Sequence, residues 1–161
     1  MSDGVTLRDY GPGDFDWLVD LHRRHYAEVE GFDATFAALV ATILRDFEAH
    51  RDPGCERGWV AVSGGARLGS IFCVRLDDRT AKLRLFLLTA EARGKGLGAL
   101  MLETCMGFAR DRGYARMQLW THESHAAACA LYRAKGWRCT ASRPVRSFGV
   151  DLVEQAWEVA L

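Results

Sequence analysis

The chain has 161 residues, which suits one domain (residues 1–161) around a single core and leaves little room for a second. Lysine plus arginine equals aspartate plus glutamate at 21 each, so the net charge is zero. This balance argues against the basic excess or stripe of a nucleic-acid binder. No run approaches the ~18 apolar residues of a membrane span. Five cysteines (Cys55, Cys73, Cys105, Cys129 and Cys139), an odd number without a CxxC pair, fit reduced thiols better than a disulfide framework. The start, MSDGVTLRDYGPGDF, has neither a basic n-region nor an apolar h-region, so a cytoplasmic location is expected.

Residues 4–9 (GVTLRD) alternate and read as a first strand. GPGD breaks the chain, and Asp14 is placed to cap a helix through about Glu28, with Phe15, Leu18, Val19 and Leu21 at helical spacing. Asp33 is placed to cap a second helix, whose stripe is Phe36, Leu39, Val40, Ile43, Leu44 and Phe47. From residue 57 the period becomes two. GWVAVSGGARLGSIFCVRLDDRTAKLRLFLL reads as three strands with turns at SGGA and DDRT. A third helix carries Leu97, Leu100, Met101, Cys105 and Phe108 on one face, with Gly113 to end it. ARMQLWT is a strand, SHAAACALYRAKG a helix ending at Gly136, and WRCTASR and SFGVDLVEQAWEVAL are two closing strands. The order β-α-α-β-β-β-α-β-α-β-β predicts an α/β sandwich: a mixed, mostly antiparallel sheet of six to seven strands flanked by four helices. One parallel pair is required by the strand–helix–strand unit at residues 83–121.

Between the fourth strand and the third helix lies EARGKGLGALML, with Gly94, Gly96 and Gly98 at every second position. A glycine turn there leaves backbone N–H groups facing one way, and the helix dipole adds positive character, which together suit a phosphate. The spacing is not that of a dinucleotide loop, which reads GxGxxG, nor of a P-loop, which needs Ser or Thr after Gly-Lys. A plain turn is the other reading of the same residues.

R-G-K-G-L-G after a strand and before an apolar helix resembles the acetyl-CoA loop, Q/R-x-x-G-x-G/A, of the GNAT (Gcn5-related) N-acetyltransferases. Arg93, Gly96 and Gly98 fill its defined positions. SHAAACALYRAKGW resembles the family's second signature, N-x-x-A-x-x-L-Y-x-x-x-G-F, with Ala128, Leu131, Tyr132 and Gly136 in place, Trp137 for Phe and His125 for Asn. The element order is also that family's, so the likeness covers nearly the whole chain. HYAEVEGFDATF and the tail SFGVDLVEQAWEV resemble the acetyltransferase half of bacterial MarR–GNAT fusion proteins. No winged-helix pattern lies within the 161 residues, and DNA binding is not expected.

The resemblance implies that acetyl-CoA lies where the strand ending at Leu88 splays from its parallel neighbour. Backbone groups of Phe86, Leu87 and Leu88 would pair with the pantetheine arm, and amides of Arg93, Gly94, Lys95, Gly96, Leu97 and Gly98 would hold the pyrophosphate. Phe86–Leu88 read equally as core strand. Tyr132 is the implied general acid, protonated at neutral pH by its reference pKa of about 10; its other reading is a half-buried packing tyrosine. Glu28 and Glu30, at the end of the first helix, are the implied bases, with His122, Glu123, His25 and ordered water as rivals and a solvated surface acid as the other reading. His125 replaces the Asn near the pantetheine arm. Glu91 is assigned to loop geometry.

His122, His125 and Cys129 follow helical spacing, but across a strand–helix junction they are not expected to converge on a metal. Cys105 and Cys129 sit among apolar residues, so no covalent acyl-enzyme is expected. The expectation is an N-acetyltransferase acting on a primary amine by direct attack in a ternary complex, with a homodimer through its final strands implied by family habit; the alternative is a catalytically weak acyl-CoA-binding sensor or interaction module. Glu28 and Glu30 near the pocket point to a cationic acceptor, a small molecule or a protein amine.

Overall fold

A computed structural model describes residues 4–161; the first three residues of the N-terminal segment lie outside it. The elements are β1 (Thr6–Asp9), α1 (Phe15–Glu30), α2 (Ala34–His50), β2 (Arg57–Ser63), β3 (Ala66–Arg75), β4 (Thr80–Leu88), α3 (Leu97–Asp111), β5 (Arg116–His122), α4 (Ala126–Ala134), β6 (Arg138–Ser147) and β7 (Val150–Ala160). Short 3-10 turns lie at Pro12–Asp14 and Ala90–Ala92. The predicted order is the observed one. The seven strands form one sheet in the order β1-β2-β3-β4-β5-β7-β6, antiparallel except for β4 beside β5.

Alternation along the strands divides the core between the two faces. Trp59, Ala61, Ile71, Cys73 and Leu83 pack with Met101, Leu102 and Cys105 of α3 and Cys129 and Tyr132 of α4. Val60 and Phe72, on the opposite face, meet Leu18 of α1 and Val40, Leu44 and Phe47 of α2. Each such fully buried side chain contributes about 2 kcal/mol of transfer free energy.

Two features set up the site. β4 and β5 pair only at Thr80–Arg116, Ala81–Met117 and Lys82–Gln118, after which β5 continues with β7 alone. Beyond that point β4 carries a bulge: Arg84 to Leu87 on β4 stands against Phe72 to Ser70 on β3. Leu85 there adopts the left-handed conformation at φ +50, and its carbonyl accepts a 2.6 Å hydrogen bond from Ser70 Oγ. A bulge bends its strand and interrupts the ladder, and the sheet opens into a V between β4 and β5.

Asp33 caps α2 as expected, accepting from the Thr35 amide at 3.0 Å. Asp14 does not cap α1. Its carboxylate, 3% exposed, instead takes two 2.8 Å bonds from Arg8, one of 2.9 Å from Arg67 Nε and one of 2.9 Å from the Gly11 amide. Two guanidiniums out-compete the weaker helix-end amides for one carboxylate. The Arg8 hydrogen bonds hold the Asp14 carboxyl down at about 2. Because the folded value is depressed, the stabilisation is present above about pH 4 and is lost as pH falls through about 2. Asp14→Asn is expected to cost about 3 kcal/mol at pH 7 and to flatten the acid limb of stability, read by urea unfolding from pH 7 down to 2; an unchanged acid limb would remove Asp14 from that role.

Candidate functional site

The three alternate glycines serve two different ends. Gly94 (φ +75) and Gly96 (φ +81) hold left-handed backbone, which costs an L-residue about 1 kcal/mol or more. Gly96 is the N-cap of α3, and the first intrahelical bond runs from the Leu100 amide to its carbonyl at 3.2 Å. The amides of Leu97, Gly98 and Ala99 precede that bond, at the positive end of the helix dipole. Gly98 is already helical, and a Cβ there would face Leu131 and Leu88 at 3.5 Å and Phe86 at 3.8 Å, across a cleft.

That cleft, of about 540 Å³, runs between the C-terminal end of β4 and α4. Phe86, Leu87 and Leu88 line it together with Arg93, Gly94, Gly96 and Gly98; Lys95 and Leu97 belong to the same turn, with Leu97 buried in the core. Arg93 is turned back onto the fold: its guanidinium donates to the Leu88 carbonyl at 2.9 Å and lies 3.1 Å from His25 Nδ1 of α1. Leu87 is buried while Phe86 and Leu88 are half-buried, so this segment packs into the core and also borders the cleft.

A second cavity of about 270 Å³ opens on the α1–α2 side of the V. It meets the cleft at four residues common to both, Tyr26, Phe86, His125 and Ala128. Tyr132 of α4 lines this second cavity, 4% exposed, with ring centroids 5.6 Å from Trp137, 6.0 Å from Trp157 and 6.4 Å from Phe86. Burial pushes its phenol above the usual tyrosine range, so it is protonated at neutral pH.

The two glutamates separate. Glu28 is exposed and lines neither cavity. Glu30 lines the cleft with a side chain only 8% exposed, accepts from Ser124 Oγ at 2.9 and 3.0 Å, and lies 3.3 Å from His125 Nε2. His125 Nδ1 is 3.1 Å from Thr121 Oγ1, whereas its buried Nε2 makes no well-aligned hydrogen bond. Burial lowers His125 to about 4, with neighbouring His122 pushing the same way, so the ring is neutral at pH 7. His122 lines the second cavity, is also lowered by burial, and buries Nδ1 without a partner. Glu123 is exposed, as is Glu91 in the 3-10 turn. Burial raises the thiols of Cys105 and Cys129, the reverse of what a nucleophilic thiolate needs.

Several cavity residues carried no motif. His22, 2% exposed on α1, lies with its Nδ1 2.9 Å from the Leu18 carbonyl, and burial lowers it to about 4. A neutral ring donating from Nδ1 leaves Nε2 as an acceptor. Phe148 sits at the tip of the β6–β7 hairpin with φ +54 and packs on Phe32 at 4.8 Å and Phe36 at 5.0 Å, walling the cavity. Lys82 and Arg84, two apart on β4 and therefore on one face, line the same cavity. Neither Glu28 nor Glu30 lines this cavity, and the spacing of residues along one element gives no sequence signal of which face it will share with another.

Among the described residues no group of three or more His, Cys, Asp or Glu is placed to hold a metal ion, and no helix is long and apolar enough to cross a membrane.

Known proteins resemble this chain in sequence and in fold. Over 148 residues the chain is 31% identical to a mycothiol acetyltransferase of Salinispora tropica, covering 85% of this chain and 46% of that protein. Over 87 residues it is 34% identical to human N-acetyltransferase 8B, covering 51% and 38%. It spans less than half the length of these curated relatives. Its fold superposes on yncA of Salmonella typhimurium, solved with its cofactor acetyl-CoA, at a TM-score of 0.79 and 20% identity, covering 98% and 94% of the two chains. The model of the acetyltransferase (GNAT) family matches residues 16–137, and the chain belongs to that family.

Proposed function

We propose that the 161 residues act as one N-acetyltransferase domain that moves the acetyl group of acetyl-CoA to a primary amine by direct attack in a ternary complex. The observation that carries this reading is the junction of the two cavities at Tyr26, Phe86, His125 and Ala128, with a protonated tyrosine beside it. The residues of the cleft fit the cosubstrate: helix-start amides for a pyrophosphate, a glycine where a side chain would intrude, and bulged β4 backbone alongside. The Salmonella relative binds acetyl-CoA in the same fold.

In this mechanism the amine nitrogen attacks the thioester carbonyl from the second cavity. Backbone N–H of the Phe86–Leu88 segment polarises that carbonyl. As the C–S bond breaks, Tyr132 gives its proton to the departing thiolate and is reprotonated from solvent. The proton lost by nitrogen passes through neutral His125 toward Glu30, which we assign as the base in preference to Glu28. Buried thiols leave no covalent route through Cys105 or Cys129.

HYAEVEGFDATF and the tail, the segments that resemble the acetyltransferase half of MarR–GNAT fusions, supply Tyr26, Phe36 and Phe148 to the second cavity. β6, exposed along nearly its whole length at the sheet edge, is the surface for a homodimer. The five unpaired cysteines fit a cytoplasmic setting.

The test is release of free thiol from acetyl-CoA in the presence of a panel of amines. Amine-dependent release with one acetyl group on the acceptor nitrogen is the expected result. Acetyl-CoA binding without release from any amine would leave an acyl-CoA-binding module on the same fold. Glu30→Gln is expected to lower kcat by about a hundredfold at pH 7 and to lessen the loss at high pH, where the amine is already neutral; a uniform loss across pH would assign Glu30 to structure.

A further inference from the structure

The second cavity has a charge that the acetyl transfer itself does not explain. Lys82 and Arg84 both line it from one face of β4, each half-buried. Neither forms an ion pair among the described residues. Lys82 Nζ lies over the Trp120 ring at 4.3 Å, and Arg84 feels the exposed Asp46 only at a distance. Burial lowers Lys82 to about 8, where it is still mainly charged at neutral pH, and it lowers Arg84 as well. The remaining titratable groups do not cancel these charges. His22, His122 and His125 are held neutral by burial, and the single carboxylate in the lining, Glu154, is paired with Arg143 at 3.2 Å. Two partly desolvated cations side by side without a counter-ion are costly unless a ligand supplies one. A cluster of this kind in a cleft is a candidate binding site.

The position of the cations fixes what else the ligand carries. Arg84 precedes Phe86 of the junction by two residues across the bulge at Leu85, within reach of its own long side chain. The walls between are apolar and aromatic, from Phe36, Phe148 and Leu39. We propose that the acceptor is an amine whose short, apolar or aromatic skeleton also bears an anionic oxygen group, a carboxylate or phosphate, and that Lys82 and Arg84 bind this group while its nitrogen faces the junction. This inference rests on the acetyltransferase reading for the role of the nitrogen, but the anion site stands on its own. The same two cations also disfavour the ammonium form of a bound amine, which helps to deliver the neutral nucleophile. The cationic acceptor expected from Glu28 and Glu30 is replaced by an anionic one, because those glutamates face solvent and the cofactor cleft.

The experiment is a calorimetric titration of the protein, with and without CoA, using phenylalanine, its primary amide, its phosphonate counterpart and spermidine as probes. Phenylalanine or the phosphonate is expected to bind about 30-fold more tightly than the amide, and spermidine more weakly still. The stronger of the two anions identifies the group. In a Lys82→Gln/Arg84→Gln double variant, the anion and the amide are expected to come within about threefold of one another, with CoA affinity and Tm retained. Equal binding of anion and amide by the unaltered protein, or preference for spermidine, would overturn the proposal. So would a double variant that loses Tm but keeps its anion preference, since the cations would then be framework. Loss of CoA binding alone would count against the acetyltransferase reading and leave the anion site standing.

Discussion

Tyr132→Phe is expected to lower kcat by about a hundredfold or more while acetyl-CoA affinity stays within about twofold. The substitution keeps the ring that packs against Trp137, Trp157 and Phe86, so the α4 core contact survives. What it removes is one O–H in a buried position, where burial keeps the phenol protonated. In the proposed mechanism the coenzyme thiolate expelled at the junction needs that proton as the C–S bond breaks. Phe cannot give one. Steady-state kinetics with a saturating amine, together with a binding titration, separate the two effects. Unchanged turnover would return Tyr132 to the role of a packing residue.

The second large effect concerns Gly98. Replacing it by Leu is expected to weaken acetyl-CoA by about a hundredfold or more while leaving Tm unchanged or slightly raised. Its backbone is helical, so a side chain brings no left-handed strain, and Leu is a better helix former than Gly. A Cβ alone would meet Leu131, Leu88 and Phe86 at ordinary contact distances of 3.5 to 3.8 Å. Gly98→Ala is therefore expected to cost only a few-fold in affinity. The isobutyl group of Leu extends beyond that contact into the cleft proposed for the cosubstrate. Gly96→Ala supplies the contrast: at φ +81 it strains the helix start and lowers stability, which Gly98→Leu does not. Equal acetyl-CoA affinity in Gly98→Leu would mean that the cleft is not the binding site.

The element order was legible because each period is long and clean. The stripe from Phe36 to Phe47 and the alternation through residues 57–88 have few competing readings. The glycine turn and Tyr132 were legible as motifs. The turn's division of labour was not, since spacing alone cannot tell the left-handed Gly94 and Gly96 from the helical Gly98. Asp14 was misread for a physical reason: local sequence offers it the helix end, but the fold brings Arg67 from 53 residues away to join Arg8. The bulge at Leu85 left no trace in an apolar run, and the Ser70 hydroxyl that bonds its carbonyl lies 15 residues away on the neighbouring strand. Phe148 gave the opposite of a turn signal, and its left-handed conformation is held by the aromatic cluster around Phe32 and Phe36. The charge of the second cavity was hidden for the same kind of reason. Lys82 and Arg84 look like the solvated side of a strand until the V between β4 and β5 makes that side a wall.

The most direct measurement is a calorimetric titration of the purified protein with acetyl-CoA, with ATP as a control and Gly98→Leu alongside. Saturable binding at one site per chain, in the micromolar range, much weaker for ATP and lost in Gly98→Leu, is the expected result. No saturable heat up to millimolar acetyl-CoA would contradict it, and the glycine turn would then serve only to reverse the chain.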